Sequence, residues 1–133
     1  MAFVIELTRL QPSQLYISRE KLDIVTRAAS VGEPSDPVPV KELDGRLVMT
    51  DGHTRAVAAH LAGCMSLEAE WDEDELDWDA YRECVRWCLK EGVAGVAALA
   101  LRIVPQEEYE TVWIARCHAM QAELDRKRRG QPR

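Results

Sequence analysis

The chain has 133 residues, of which 47% are hydrophobic and 30% charged, with 17 Lys and Arg against 23 Asp and Glu. That length predicts one domain with a core of its own, and the apolar content excludes a mostly disordered chain. The net charge of −6 disfavours broad contact with DNA or an anionic membrane, because both attract basic surfaces.

In chain order, the first half is predicted to alternate strands and helices. Residues 3–7 form a strand, and Ser18 caps a helix that runs to Ala29. The inner face of that helix is predicted to carry Leu22, Val25 and Ala29. Residues 31–37 are a loop by composition, since Gly, Pro, Ser and Asp dominate them.

A hairpin is predicted next. Two alternating runs, 38–43 and 46–50, flank the pair Asp44-Gly45, whose residue types tolerate the positive φ of a tight turn. The second strand leads into a short helix around residues 56–61, ended by Gly63, and residues 66–71 form a further strand.

The second half is predicted to be helical. Asp77 caps a helix that Gly92 stops, residues 93–103 form a short apolar helix, and residues 107–127 form the longest one. The inner stripe of the longest helix consists of Tyr109, Trp113, Arg116, Met120 and Leu124. A charge facing inward needs an anionic partner, so Arg116 is expected to pair with the acidic run (residues 71–79) or to reach a bound phosphate.

Charge is concentrated in two segments. The basic tail (residues 126–133) holds five of the 17 basic groups, which leaves a charge of −11 on residues 1–125. We interpret the tail as a solvated terminus, with a nucleic-acid contact as the alternative. The acidic run lacks the spacing of a calcium loop and is interpreted as a solvated linker, with a divalent-cation site as the alternative.

No targeting or membrane segment is apparent. Residues 1–17 lack the pattern of a signal peptide, and the longest apolar stretch, 93–104, contains Arg102 and is too short to span a bilayer. The four cysteines are therefore expected to be reduced, in a cytoplasmic protein. Core thiols are the preferred interpretation, because the paired Cys-x-x-Cys spacing of structural zinc sites is missing. The alternative is a metal site formed by Cys84, Cys88, Cys117 and His118.

The most informative segment is the turn Asp51-Gly52-His53-Thr54-Arg55. Gly52 lets the backbone approach a ligand, and the free N–H groups of the first helical turn, with Thr54 and Arg55, can bind an anion. Asp51 and His53 supply a carboxylate and an imidazole for proton transfer or metal-assisted positioning. The alternative is an Asp N-cap followed by a solvated basic residue.

A family resemblance rests on the hairpin, the DGHTR run and the lead-in LQPSQLYIS. Together, over roughly residues 3–71, they resemble the ParB/sulfiredoxin superfamily, and most nearly its small ParB-like domains that include the free serine kinases. The resemblance implies that the Gly-x-x-Arg turn, Gly52 to Arg55, binds nucleotide phosphates.

Differences from the superfamily pattern reduce the number of activities to be expected. His53 stands where sulfiredoxins have their catalytic cysteine, so sulfiredoxin activity is not expected. The chain is too short after residue 71 for the two further regions of ParB partition proteins. The kinases use a glutamate where this chain has Gln14, so kinase chemistry here would depend on Asp51, or on Glu20 if it points inward.

The sequence therefore predicts an α+β protein with a small mixed sheet of ParB/sulfiredoxin-like topology (residues 1–71) and a helical extension (residues 72–133) packed on it as one unit. The predicted ligand is a nucleotide, ATP or ADP with Mg²⁺, or another phosphorylated small molecule. Phosphoryl transfer to a small hydroxyl substrate is the predicted reaction, and a non-catalytic regulatory or DNA-partition-associated binding module is the alternative. No protein-held metal is predicted, and a homodimer is left open. The site residues are Asp51 and His53 as catalytic groups, and Gly52, His53, Thr54 and Arg55 as nucleotide contacts.

Overall fold

A computed structural model describes residues 1–130 of the chain, as a mixed α+β structure. Six strands are present in this range: β1 (Ala2–Glu6), β2 (Ile17–Ser18), β3 (Val38–Leu43), β4 (Arg46–Met49), β5 (Ser66–Trp71) and β6 (Ile103–Val104). The helices are α1 (Arg19–Ser30), α2 (His53–Leu61), α3 (Trp78–Lys90), α4 (Val96–Leu99), α5 (Gln106–Tyr109) and α6 (Ala115–Arg128). No helix in residues 1–130 is both long and apolar enough to cross a bilayer.

The main sheet has the strand order β1-β5-β3-β4. β1 and β5 are antiparallel, β5 and β3 are parallel, and β3 and β4 form the predicted hairpin, with Val40 opposite Met49. Asp44 and Gly45 both have positive φ, 52° and 80°, which confirms the tight turn. The sheet is therefore mixed, as the sequence predicted.

Capping residues place the helices where the sequence predicted them. The Ser18 side chain accepts a hydrogen bond from the Lys21 N–H, and the Asp77 carboxylate accepts one from the Ala80 N–H at 3.2 Å. The predicted inner face of α1 was wrong at one position: Leu22 is buried and Val25 half-buried, but Ala29, in the last turn of α1, is exposed.

The predicted apolar helix over 93–103 was wrong in extent. Only Val96–Leu99 is helical, and Ile103–Val104 instead forms β6, which pairs in parallel with β2. Two β-branched residues before Pro105 favour an extended backbone. Arg102 turns inward at this point, where its Nε donates to the Leu15 carbonyl at 2.7 Å.

The C-terminal helical stretch runs from Gln106 to Arg128, and its middle part, Glu110–Ile114, is a π-helical segment. The expected partners of Arg116 were wrong. Its guanidinium donates to Glu91 at 3.2 Å and stacks on the Trp87 ring, because Glu91 at the end of α3 is the nearest carboxylate.

The basic tail and the acidic run meet in space. Arg128 forms a two-bond ion pair with Asp77, at 2.7 and 2.9 Å, and a further contact with Asp79. Arg128 remains exposed, so the ion pair lies at the surface, where the end of α6 meets the start of α3. Arg133, the last basic residue of the tail, lies outside the described residues.

The core lies between the inner face of the main sheet and the helices. Its largest cluster joins strand residues to apolar side chains of the segment between β1 and β2 and of the C-terminal helices. The side chains with the least exposure in that cluster include Leu10, Leu15, Ile17, Met49, Val57, Cys88, Val93, Val96 and Leu99. This packing fixes the end of β4, where the predicted site lies.

Candidate functional site

The 51–55 turn joins the end of β4 to α2. Thr50, the residue before it, is buried and is tied down twice: its N–H donates to the Pro39 carbonyl at 3.0 Å, and its hydroxyl donates to the Asp72 carboxylate at 2.6 Å. The acidic run therefore supplies one anchor of this turn through Asp72. The backbone that enters α2 is held on both sides.

Gly52 is the N-cap of α2 and has a left-handed backbone, with φ 75°. A Cβ at this position would lie 2.8 Å from Nη2 of Arg55 and 3.2 Å from Cγ2 of Val38. Both the backbone angle and the space above it thus require glycine. The close approach also shows that the Arg55 guanidinium folds back over the start of its own helix.

Arg55 has a second function in the structure besides any ligand contact. Its Nη1 donates to the backbone carbonyls of Asp36 and Pro37, in the loop that precedes β3. The side chain is half-buried in this position. These bonds hold the guanidinium at the mouth of the turn, where an anion would meet it together with the amides of α2.

His53 is buried, with 4% of its surface exposed. Its Nε2 accepts a hydrogen bond from the backbone N–H of Ser13 at 3.0 Å, so Nδ1 carries the proton of the neutral ring. Burial lowers the pKa of His53 to about 4, against a smaller opposing effect of the Asp51 charge. His53 is therefore neutral at physiological pH and ties the turn to the segment that contains Ser13.

Asp51 is exposed at the other side of the turn. One of its carboxylate oxygens, Oδ1, accepts a hydrogen bond from the Gly52 N–H at 2.8 Å. The predicted catalytic pair thus lies together in space but in different environments. Asp51 faces solvent as a carboxylate, whereas His53 is enclosed.

A first cavity, of about 380 Å³, opens over the turn. All five turn residues line it, and the remaining lining residues come from elements distant in sequence: Gln14, Lys21, Ile24, Val25 and Tyr109. The ammonium group of Lys21 lies 5.2 Å from the centroid of the Tyr109 ring. Two cationic side chains, Lys21 and Arg55, therefore flank one cavity.

Sequence reasoning missed Lys21 and Tyr109 as site residues. Lys21 follows the Ser18 cap by three positions, which places it in the first turn of α1, but only the fold brings α1 beside α2 and Tyr109 beside both. Gln14 is a further link, because its amide donates to the Tyr109 hydroxyl at 3.1 Å and to the Tyr16 carbonyl at 2.8 Å. The Gln14 amide is thus held in a fixed orientation.

Glu20, the alternative base, does not point toward the turn. Its carboxylate accepts a hydrogen bond from the Gln106 N–H and so caps the start of α5, away from the turn. Glu20 is exposed and is not among the residues that line the first cavity. Asp51 is thus the carboxylate that the structure places at the turn.

A second cavity, of about 350 Å³, adjoins the first at Gln14, Asp51 and His53. The far wall is formed by α3, the π-helical segment and α6, with the side chains of Ala80, Tyr81, Cys84, Trp113, Cys117, Met120 and Gln121. Within residues 1–130, no set of three or more His, Cys, Asp or Glu side chains is arranged to hold a metal ion. Of the proposed metal set, Cys84 and Cys88 are buried as core thiols, whereas His118 is exposed.

Comparison with known proteins gives structural neighbours alone: no family model and no curated protein matches the chain. Protein Atu1540 from Agrobacterium tumefaciens is similar with a TM-score of 0.47 and 14% identity over 71% of this chain, which spans 50% of Atu1540. Sulfiredoxin from Arabidopsis thaliana gives a TM-score of 0.50 at 16% identity, covering 65% of this chain and 98% of sulfiredoxin. The fold is sulfiredoxin-like.

The sulfiredoxin-like fold accounts for only part of the chain. Nearly all of the plant sulfiredoxin is matched, but 65% of this chain is, so about a third of its residues are additional to the shared fold. At 16% identity the likeness concerns the fold, and the chemistry of the site has to be argued from its own residues.

Proposed function

We propose that the 51–55 turn binds the phosphate groups of a nucleotide or of another phosphorylated small molecule. The observation that carries this proposal is the first cavity, where Lys21 and Arg55 flank the N-terminus of the nine-residue helix α2. Two cations, the Thr54 hydroxyl and the helix amides together match the oxygens and the charge of a phosphate chain. A cytoplasmic location supplies both nucleotides and the reducing conditions that four free thiols need.

ATP or ADP with Mg²⁺ is the ligand class that we favour. Mg²⁺ usually keeps several waters and binds the phosphate oxygens of the nucleotide, which leaves Asp51, an exposed carboxylate at the edge of the same cavity, to act on the acceptor. Mg²⁺ in that position would neutralise charge on the phosphates. The second cavity lies on the far side of Asp51 and offers room for an acceptor molecule.

Phosphoryl transfer to a small hydroxyl acceptor would use Asp51 as the base. The acceptor oxygen forms a bond to the γ-phosphorus of ATP, the bond from that phosphorus to the bridging oxygen of ADP breaks, and the acceptor proton passes to Asp51. His53 contributes by position, because its Nε2 is occupied by the Ser13 N–H and its pKa lies near 4.

A non-catalytic binding module is the second candidate, and Gln14 favours it. The Gln14 amide is fixed by Tyr109 and Tyr16, and it cannot accept a proton as a glutamate would. This candidate predicts nucleotide binding without turnover. In its DNA-partition form it also predicts a salt-sensitive DNA complex that depends on residues 126–133.

Binding is tested by calorimetry with ATP, ADP and inorganic phosphate in the presence of Mg²⁺. Lys21 and Lys41 are a matched pair, because each ammonium lies 5.2 Å from an aromatic ring, of Tyr109 and Trp78 respectively, and only Lys21 lines the first cavity. Loss of one phosphate contact in K21A should weaken ATP binding about tenfold, which is about 1.4 kcal/mol. K41A should bind like the wild type. No heat with any of the three ligands, or equal losses in both variants, contradicts the proposal.

Turnover is tested separately, by incubation with ATP, Mg²⁺ and a pool of hydroxyl metabolites. A phosphorylated product that disappears in D51N supports transfer with Asp51 as the base. ATP binding with no product in the wild type supports the non-catalytic module. A DNA gel shift at low salt that is lost on removal of residues 126–133 would favour its DNA-associated form.

A further inference from the structure

Two thiols meet in the wall of the second cavity. Cys84 comes from α3 and is buried, and Cys117 comes from α6 and is half-buried. Both side chains line the cavity, and the helices that carry them pack against each other. Neither thiol has a part in the proposed phosphate site.

The two thiols differ in reactivity. Hydrogen bonding by the neighbouring Cys84 thiol and the nearby Arg116 guanidinium lower the pKa of Cys117, whereas hydrogen bonding to Cys117 and burial raise the pKa of Cys84. Arg116 is held in place by Glu91 and by the Trp87 ring. A low-pKa thiol that is open to a cavity, next to a second thiol, is the usual arrangement of an attacking and a resolving cysteine.

We propose that Cys117 and Cys84 are a redox-modification site, which a hydroperoxide converts to a disulfide that joins α6 to α3. The Cys117 sulfur attacks one oxygen of hydrogen peroxide, the O–O bond breaks, and a sulfenic acid and one water result. The Cys84 sulfur then attacks the Cys117 sulfur, and the sulfenic oxygen leaves as a second water. Two thiols are oxidised, one peroxide is reduced, and a thiol reductant reverses the change.

The disulfide would act on a weakly attached helix. No residue of α6 is fully buried in the structure, and its contacts with α3 include the half-buried Cys117 and the ion pairs of Arg116 with Glu91 and of Arg128 with Asp77. A covalent bond in the middle of this contact fixes the far wall of the second cavity, which adjoins Asp51. The site thus lets peroxide control how freely that wall moves, whether or not the turn binds phosphate.

The test is intact-mass spectrometry of the full chain after treatment with one equivalent of hydrogen peroxide. The wild type should lose about 2 Da, the two hydrogens of a dithiol, and regain it with dithiothreitol. Peptide mapping should find the bond between Cys84 and Cys117. C117S and C84S should lose no mass in this way, whereas C88S, one turn along α3 from Cys84, should behave like the wild type.

Three results would overturn the proposal: no mass loss in the wild type, mass loss that persists in C117S, or a bond that maps to Cys64 or Cys88. Because Cys84 is buried, C84S has to be checked for folding by circular dichroism. If C84S does not fold, the result for C117S decides the test. C117S is expected to fold, because Cys117 is half-buried and serine is of similar size. The readout is independent of nucleotide binding, so failure here leaves the proposed function standing, and the converse also holds.

Discussion

Acid should destabilise this protein through His53 before its carboxylates titrate. The pKa of His53 is about 4 in the folded protein, against an ordinary value of 6.5. Between these two values the unfolded chain binds a proton that the folded chain does not, so the free energy of unfolding falls as the pH falls. The stabilisation that comes from the neutral ring is complete above about pH 7 and is lost progressively on the way to pH 4.

The magnitude follows from the shift. A pKa lowered from 6.5 to about 4 corresponds to about 3 kcal/mol over the whole window. Two-thirds of it, about 2 kcal/mol, should be lost between about pH 7.5 and about pH 5. Aspartate and glutamate ordinarily titrate near pH 4, so the upper part of the window reports on histidine.

Urea unfolding at the two pH values measures this loss, and H53Q is the matched control. A glutamine oxygen can accept the Ser13 N–H bond in place of Nε2, but it does not titrate in this range. H53Q should therefore lose at least 1 kcal/mol less than the wild type on acidification. The other two histidines, His60 and His118, are present in both proteins and cancel in the comparison. An equal loss in both proteins would refute the assignment of the buried neutral ring.

Two further predictions concern glycine and capping. G52A and G63A both place alanine at a positive φ, 75° and 84°, but only at Gly52 does the added Cβ meet other atoms. In urea unfolding, each variant should lose about 1 kcal/mol of stability because alanine disfavours the left-handed backbone. G52A should lose about 1–2 kcal/mol more, because the new Cβ displaces Arg55 from its hydrogen bonds to the carbonyls of residues 36 and 37. ATP affinity should fall in G52A alone, and equal effects of the two substitutions would contradict the close packing over Gly52. S18A should cost about 1–2 kcal/mol, because the hydroxyl accepts from the Lys21 N–H and donates to Gln106 at 2.5 Å, while S30A at the exposed end of α1 should change the midpoint little. An equal shift of the unfolding midpoint in S18A and S30A would contradict the conclusion that the Ser18 cap stabilises α1.

Local signals determined most of the elements that could be predicted. Asp44-Gly45 specified the hairpin, Asp77 the start of α3, and the run 66–71 the strand β5, because each depends on residues within a few positions of one another. The 51–55 turn belongs to the same group, since strand, glycine and helix start follow directly in the sequence.

Non-local contacts account for what the sequence did not predict. β2 and β6 are two residues each and become strands only by pairing with each other, so no periodicity marks either one. Arg116 pairs with Glu91 rather than with the acidic run, because the attraction between charges falls with distance and Glu91 lies closer. Lys21 and Tyr109 form one site only after α1 and α5 have packed together.

The pairing of β2 with β6 sets an order of events during synthesis. Ile17 lies opposite Ile103, so its hydrogen-bonding partner emerges only after most of the chain has been made. At about 5–20 residues per second, this strand waits roughly 4–17 s on the ribosome. Leu15 and Ile17 have no exposed surface in the folded protein, but the side that later packs against the C-terminal half stays exposed during that interval. Such a long-range closure slows folding and leaves apolar side chains of the first half open to aggregation until it forms.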